Sequence, residues 1–200
     1  MLKRALCICA CVAGLAGLVA TPAHAVTVVV DAFNNSSSGG AGLATGLSLT
    51  FGQTFTITSS TNDLWSAGGL PRYSDGNGLT GDRNASALDD SGRPVGSQIG
   101  TNFGLWSQHS ISAPYGSLVG EIAGSFFLIG TNFTGQAIAS GALSLFYWDS
   151  NQGDNFGSIT FDVNAAAVPG PIVGAGLPGL VMALGGFVAW LRRRNRAAAA

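Results

Sequence analysis

The amino-acid sequence predicts an all-β protein, an antiparallel β-sandwich ectodomain with a different kind of segment at each end of the chain. The central region is dense in Gly, Ser, Thr and Asn, and the chain holds 30 glycines. Its apolar residues come in short alternating runs with no long helical period, which favours strands over helices. The two terminal segments are long and apolar instead. Each of the three parts is therefore interpreted separately.

Alternation of polar and apolar residues locates the strands of the ectodomain. The segment 54–58 alternates at every position, which is typical of a half-buried strand. The predicted strands cover residues 26–33, 54–58, 116–122, 126–130, 141–148 and 157–163. The last four are expected to be consecutive antiparallel strands. Between them, residues 59–101 are so rich in turn formers that we expect extended loops there.

The first 25 residues have the layout of a secretory signal peptide. Lys3 and Arg4 precede an apolar run, and the small-residue triplet Ala23-His24-Ala25 follows it. This is the charged, apolar and A-x-A order of a signal cleaved after Ala25. An uncleaved N-terminal anchor is the alternative, although the apolar run is short for a bilayer that needs roughly 20 residues. The sequence thus predicts an exported protein.

The C-terminal segment predicts a membrane anchor. Residues 164–171 form a linker, and residues 172–191 are an uncharged apolar stretch of spanning length. A basic cluster follows directly, made of Arg192, Arg193, Arg194 and Arg196. Arginines flanking a span favour the cytoplasmic side, so the tail 192–200 is expected in the cytoplasm and the ectodomain in the periplasm. A buried core helix is the alternative interpretation.

Charge and cysteine content exclude several classes of function. The ectodomain carries ten acidic side chains against three arginines and no lysine, a net charge of −7. Such a surface disfavours nucleic acid and suits cations. All three cysteines lie inside the predicted signal peptide, at Cys7, Cys9 and Cys11. The mature chain would therefore hold neither disulfides nor thiolate metal sites.

One loop concentrates the oxygen ligands that calcium prefers. Asp149, Asp154 and Asn155 lie in a polar segment between two predicted strands, with Gly153 to allow a tight fold. Calcium takes six to eight oxygens from carboxylates, amides and backbone carbonyls at flexible angles. Asp and Asn also make ordinary turns, so composition alone leaves a metal-free loop as the alternative.

The order of segments after residue 113 resembles that of the PA-IL-like galactose-binding bacterial lectins. The resemblance rests on the run 113–122, the Gly141-x-Leu143-x-Leu145 pattern and the segment 149–158. It implies a jelly-roll-like sandwich over residues 26–163, in which a loop calcium also coordinates sugar hydroxyls. By that resemblance Asp149, Asp154 and Asn155 are expected as calcium ligands and Trp65 as a backbone-carbonyl ligand. Asp149 and Asn155 would also contact the sugar. The loop is shorter than in the sugar-binding lectins, and Trp148 stands where they have asparagine.

A second resemblance lies at the C-terminus. Val168, Pro169, Gly170 and Pro171, followed by an apolar helix and arginines, are similar to the PEP-CTERM sorting signal of Gram-negative bacteria. This implies an exosortase-type transpeptidase as partner and passage to the cell surface or extracellular matrix. Gly170 replaces the usual glutamate, and Pro178 lies within the helix. A plain single-pass anchor is the alternative.

Together these features predict a non-enzymatic surface protein that binds carbohydrate with calcium in an extracellular polysaccharide matrix. A structural surface protein without sugar binding, its metal absent or purely structural, is the alternative. A secreted hydrolase is a third class, but the sequence lacks a Gly-x-Ser-x-Gly elbow. After cleavage at Ala25 it would hold one histidine, His109. We therefore expect binding and not catalysis.

Overall fold

The computed structural model describes residues 23–167 and residues 177–197. These belong to two compact units, one spanning Pro22–Ala167 and the other containing the C-terminal helix. Three predicted features lie wholly or partly outside the described residues. They are the first 22 residues of the predicted signal peptide 1–25, the sorting motif at 168–171, and the start of the predicted span at 172–176.

The first unit is built almost entirely of β-strands, which confirms the predicted all-β class. Its fourteen strands are β1 His24–Asp31, β2 Leu43–Leu49, β3 Thr54–Thr58, β4 Trp65–Ser66, β5 Tyr73–Ser74, β6 Arg83–Asn84, β7 Gln98–Gly100, β8 Leu105–Gln108, β9 Ile111–Pro114, β10 Ser117–Ile122, β11 Ser125–Leu128, β12 Asn132–Gln136, β13 Gly141–Trp148 and β14 Phe156–Ala165. One short 3-10 turn, Gln152–Asp154, separates β13 from β14. Every strand pair between these elements is antiparallel, as predicted.

Strand β14 organises the larger sheet. Six strands form this sheet in the order β12-β3-β14-β4-β5, with β1 paired to β14 along its whole length, from His24 opposite Ala165 to Asp31 opposite Ser158. The end of β14 also pairs with β3, and its start pairs with β4. Strand β4 in turn pairs with β5, and both lie in the polar region 59–101. Strand β14 therefore joins this region to the rest of the sheet through β4.

The smaller sheet has four strands in the order β11-β10-β13-β2. Strand β10 lies between β11 and β13, so Ser117 is opposite Trp148 at the end of the sheet where the polar loop begins. Strand β10 pairs with β11, as predicted for consecutive strands, but β13 pairs with β10 and not with β11. Strand β14, expected to pair with β13, crosses to the larger sheet instead, and the loop 149–155 therefore connects the two sheets.

One hydrophobic core lies between the two sheets. Strand β14 alternates along its length, with Ile159, Phe161 and Val163 fully buried between exposed residues. The same cluster contains Leu118 and Leu145 of the smaller sheet. Each fully buried side chain of this size stabilises the fold by roughly 1.5–3 kcal/mol relative to exposure. The alternation that predicted the strands is thus the alternation that fills the core.

The region 59–101 is not a set of extended loops, and the prediction for it was wrong in detail. It contains the short strands β4 to β7 and a small core of its own, formed by Leu64, Tyr73, Ala85 and Ile99. These four residues are far apart in sequence, so no local periodicity predicts that they form a core. Strands of two residues are also too short to show a period of two.

The second unit consists of helix α1, Leu177–Ala197, which includes the arginine cluster. The sequence placed the apolar stretch at 172–191 and the tail from residue 192 onwards, whereas the described helix continues to Ala197. Over the described parts of the chain, no helix combines the length and the apolar character that crossing a membrane requires.

Candidate functional site

The polar loop between β13 and β14 is held in shape by its own side chains. The Asn151 side chain accepts a hydrogen bond from the Gly153 amide at 3.2 Å, which caps the 3-10 turn. The backbone N–H of Asn155 donates to the backbone carbonyl of Gln152 at 3.1 Å and closes the turn. The loop therefore presents Asp149, Asp154 and Asn155 from a defined backbone.

Asp149 is a buried carboxylate, with 4% of its surface exposed. Its backbone is fixed by Ser37, whose hydroxyl donates to the Asp149 carbonyl at 3.1 Å and accepts from the Asp149 amide at 3.2 Å. Burial raises the pKa of the Asp149 carboxyl, and the neighbouring Asp154 carboxylate adds to the rise. Hydrogen bonding from the Asn155 side chain opposes that rise. A negative charge held in this position is costly unless a cation compensates it.

Asn155 is also buried, with 5% of its surface exposed, and it is only partly satisfied. Its amide nitrogen Nδ2 donates to the Ala32 carbonyl at 3.3 Å and approaches Ser36 Oγ at 3.5 Å. Its carbonyl oxygen Oδ1 has no hydrogen-bond partner among the described residues. A buried acceptor without a donor costs about 1–3 kcal/mol. An oxygen that faces no donor is suited to a metal ion.

Asp154 lies at the exposed side of the loop and connects it to the region 59–101. Its Oδ1 accepts from Asn151 Nδ2 at 2.8 Å, and its Oδ2 lies 3.5 Å from Arg72 Nη1. A Cβ atom added to Gly68 would lie only 2.6 Å from Asp154 Oδ2. Gly68 has a φ of +115°, which an L side chain rarely adopts. Glycine at 68 is therefore required for this close approach.

Trp65 has a different place from the other predicted ligands. Its side chain is fully buried, its indole N–H donates to the Gly116 carbonyl at 2.7 Å, and its ring packs edge-on against Tyr147. The segment approaches the loop three residues further along, where a Cβ atom on Gly68 would lie 2.6 Å from Asp154 Oδ2. Sequence reasoning missed Gly68 and Arg72, although the Gly68-Gly69 pair after Trp65 was a signal of close backbone approach.

Tyr147 places a second unsatisfied oxygen beneath the loop. The residue is fully buried, and its hydroxyl has no hydrogen-bond partner among the described residues. Burial raises the pKa of the Tyr147 phenol well above its ordinary value, and the charges of Asp149 and Asp154 raise it further. The phenol therefore stays protonated and remains available as a donor under the acidic loop.

The residues of this loop fit a calcium ion. Asp149 and Asp154 supply carboxylates, and Asn155 supplies a buried carbonyl oxygen that lacks a donor. No cluster of three or more His, Cys, Asp or Glu side chains suited to a metal occurs within residues 23–167 and 177–197. A metal at this loop would therefore need amide and backbone oxygens beside its two carboxylates, a ligand set typical of calcium and unlike that of zinc.

The acidic residues of the region 59–101 are engaged elsewhere. Asp75 pairs with Arg83, Asp63 accepts from the Thr160 amide at 2.7 Å, and Asp90 accepts from the Leu64 amide at 2.9 Å. These bonds tie the region to itself and to β14. The loop site is therefore formed by its own acids, with Gly68 and Arg72 as neighbours from outside.

Comparisons with known proteins give a structural similarity and no family. No protein-family profile matches the chain, and no match is found among the curated proteins. Among solved structures, the chain is similar to the EclA N-terminal domain, a PllA-like lectin, with a TM-score of 0.44 and 21% identity. The match covers 72% of this chain and 96% of that chain. A similarity of this size does not identify a ligand, so the chemistry of the loop is argued from its own residues.

Proposed function

We propose that residues 26–163 form a carbohydrate-binding domain in which the loop from Asp149 to Asn155 holds calcium. The observation that carries the proposal is the pairing of a buried carboxylate at Asp149 with a buried, unpartnered carbonyl oxygen at Asn155. Both groups are costly as they stand, and one hard cation between them would offset both costs. The resemblance to PA-IL-like lectins points to the same loop.

Each residue of the loop has a distinct role in this proposal. Asp149 and Asn155 would bind the ion from the buried side, with Asp154 closing the site from the exposed side. When bound, calcium supplies a positive centre that polarises and orients two neighbouring sugar hydroxyls. The free lone pairs of Asp149 and Asn155 would accept hydrogen bonds from those hydroxyls. Gly68 keeps space beside Asp154 that a side chain would fill.

A structural surface protein is the second candidate, and Arg72 is the observation that favours it. Its guanidinium already lies 3.5 Å from Asp154 and partly compensates the charge of the loop. In that case Arg72 would take the place of the metal. We propose binding and not catalysis in either case. His109, the histidine that would remain after signal cleavage, stacks on Phe126 at a ring distance of 4.2 Å.

The binding proposal is tested by retention on immobilised sugars. Wild-type protein and Asn155→Ala are passed over galactose-bearing agarose and applied to a glycan array, with calcium and with chelator. Asn102→Ala, which alters an asparagine outside the loop, is the matched control. We expect calcium-dependent retention of wild type and Asn102→Ala and loss of retention in Asn155→Ala. Calcium-raised melting without retention on any sugar would favour the structural candidate.

Export and anchoring remain proposals that rest on the terminal sequences. The signal at residues 1–25 and the arginines after residue 191 support export with a C-terminal anchor. The motif Val168 to Pro171 supports recognition by an exosortase-type transpeptidase and transfer towards the surface or the extracellular polysaccharide matrix. Mass analysis of surface-released protein should find a C-terminus between Val168 and Pro171. Finding Arg196 still attached would contradict cleavage at the motif.

A further inference from the structure

A polar cleft of about 460 Å³ lies in the region 59–101. Its volume is within the roughly 300–1,000 Å³ range of small-molecule sites. Polar and glycine residues supply most of its lining, and Tyr73 and Leu79 are the large apolar members. None of its lining residues belongs to the loop 149–155. The cleft is therefore a second candidate site on the same domain.

Two lining residues of the cleft, Arg83 and Asp75, form an ion pair. Arg83 Nη1 lies 3.0 Å from Asp75 Oδ2, and Arg83 Nη2 donates to the Thr61 carbonyl. Asp75 has 8% of its surface exposed, and its other oxygen accepts from the Asn77 amide at 2.8 Å. A guanidinium has five N–H donors, so Arg83 keeps further donors for a ligand.

The rim of the cleft offers acceptors beside these donors. Asp82 Oδ1 accepts from Thr101 Oγ1 at 2.9 Å and from Gln98 Nε2 at 3.2 Å, whereas its Oδ2 has no hydrogen-bond partner among the described residues. Thr80 and Asn84 are exposed at the rim and can both donate and accept. The lining thus offers both donors and acceptors.

The charges in the cleft disfavour anionic ligands. Asp75, Asp82 and Asp89 outnumber the single cation Arg83, so the lining has a net charge of −2 and repels anions. Arg83 is paired with Asp75, and its guanidinium weakens the attraction of these carboxylates for a metal cation. Leu79 is 1% exposed and Tyr73 is 8% exposed, so little apolar surface faces the opening. A neutral ligand rich in hydroxyls satisfies these conditions.

We propose that this cleft is a second sugar-binding site, independent of calcium. Each hydroxyl of a sugar ring both donates and accepts, which matches the donors of Arg83, the acceptors of Asp82 and the amide of Asn84. The ion pair and the small core of Leu64, Tyr73, Ala85 and Ile99 hold the cleft in its binding shape before a ligand arrives. Preorganisation lowers the entropic cost of binding. With the loop site, one domain would engage a polysaccharide at two points and gain avidity.

A bulky side chain at the lining of the cleft is the sharpest test. A Cβ on Gly81 would meet no atom within 4 Å and its φ is unstrained, so Gly81→Trp adds a large ring at the cleft lining. Gly69 is equally open and lies outside the cleft lining, which makes Gly69→Trp the matched control. Saturation-transfer NMR is recorded on the full-length protein with galactose, glucose, mannose and N-acetylglucosamine, all in chelator to silence the loop site.

We expect at least one of these sugars to give signals with wild type, Gly69→Trp and Asp154→Ala in chelator. Gly81→Trp should lose them, and Asn84→Ala should weaken binding about tenfold if the larger substitution fails to fold. Absence of signal from all four sugars, or binding that survives both cleft variants, would overturn the proposal. Calcium binding by the loop is measured separately, so either site can fail without the other.

Discussion

The Oδ2 atom of Asp154 lies 3.5 Å from Nη1 of Arg72, so a fixed cation already faces the most exposed carboxylate of the candidate calcium loop. Both side chains are more than a third exposed, and pairs of this kind contribute only about 0–1 kcal/mol to stability. The contact therefore matters more for the electrostatics of the loop than for the fold. It sets up a competition between Arg72 and calcium for the same carboxylate.

Removing the Arg72 charge should strengthen calcium binding. Arg72→Gln removes a competing cation from Asp154 and reduces repulsion of the incoming ion, so we expect the calcium dissociation constant to fall several-fold by calorimetry. Arg72→Lys keeps the charge and serves as the control. An unchanged or weaker affinity in Arg72→Gln would contradict a role for Asp154 as a ligand.

A side chain at residue 68 should disturb the same carboxylate. Gly68→Ala strains a backbone with φ +115° and pushes a Cβ to within 2.6 Å of Asp154 Oδ2. Gly52→Ala also places an L side chain at a positive φ, +79°, but its Cβ meets no atom within 4 Å. Strain at the φ of Gly52, close to the left-handed helical range, costs about 1–2 kcal/mol, and the φ of Gly68 is less favourable still.

Calorimetry separates the two variants. Gly68→Ala should weaken calcium binding because Asp154 is displaced, whereas Gly52→Ala should bind calcium as wild type does. Equal calcium affinities in the two variants would show that Gly68 has no part in the site.

Exchanging the Asn155 amide for a carboxylate should have opposite effects with and without calcium. In Asn155→Asp, an oxygen replaces the amide nitrogen that donates to the Ala32 carbonyl at 3.3 Å, so the calcium-free protein should melt earlier. The added negative charge should enlarge the stabilisation produced by calcium. Melting curves in chelator and in calcium measure both effects, and a calcium response equal to that of wild type would argue against Asn155 as a ligand.

Substitution of the Trp65 side chain should lower the stability of the fold more than it lowers the calcium affinity. Trp65→Phe removes the hydrogen bond to the Gly116 carbonyl and part of a fully buried ring, at a cost of about 1–3 kcal/mol. Because the side chain lies in the core, the calcium affinity should stay within twofold of wild type. A large loss of affinity in a variant that still folds would show that the Trp65 side chain supports the site, since the predicted backbone-carbonyl ligand is unchanged by this substitution.

A carboxyl pair in the region 59–101 gives a pH-dependent prediction. Burial raises the pKa of Asp90 above 3.8, and the adjacent Asp63 raises it further. A raised folded-state pKa means that the protonated form stabilises the fold. This stability is present below 3.8 and is lost as the pH rises through the raised value.

Asp63→Asn tests this coupling. It should lower the pKa of Asp90 in a carboxyl NMR titration, and Glu121→Gln, on strand β10 of the smaller sheet, should leave it unchanged. No change in Asp63→Asn would remove Asp63 as a cause.

The sequence predicted elements whose pattern is local. Strands β3 and β13 were predicted with their observed bounds because their side chains alternate over five or more residues. Strand β2 also alternates, but its glycine, Gly46, and its position among turn residues concealed it. The short strands β4 to β7 were missed because their stability comes from residues such as Tyr73 and Ile99 that meet only in three dimensions.

The candidate site was likewise predictable only where it is continuous in sequence. Asp149, Asp154 and Asn155 fall in one loop, which its residue types singled out, and they were assigned as ligands through the resemblance to the PA-IL-like lectins. The contribution of Gly68 and Arg72 depends on how β4 pairs with β14, a long-range register that composition does not reveal. The same holds for the unpartnered oxygen of Asn155, since a lost hydrogen bond has no sequence signature.

Calcium binding by the loop is the central claim, and thermal melting tests it most directly. Wild type, Asp154→Ala and the charge-matched control Asp162→Ala are melted in chelator and in calcium. Calcium at about 100 times its dissociation constant should add roughly 2.7 kcal/mol, which raises the melting temperature of wild type and Asp162→Ala by several degrees. Asp154→Ala should lose most of that rise. Identical curves for wild type in calcium and chelator would contradict the account and leave a metal-free β-sandwich.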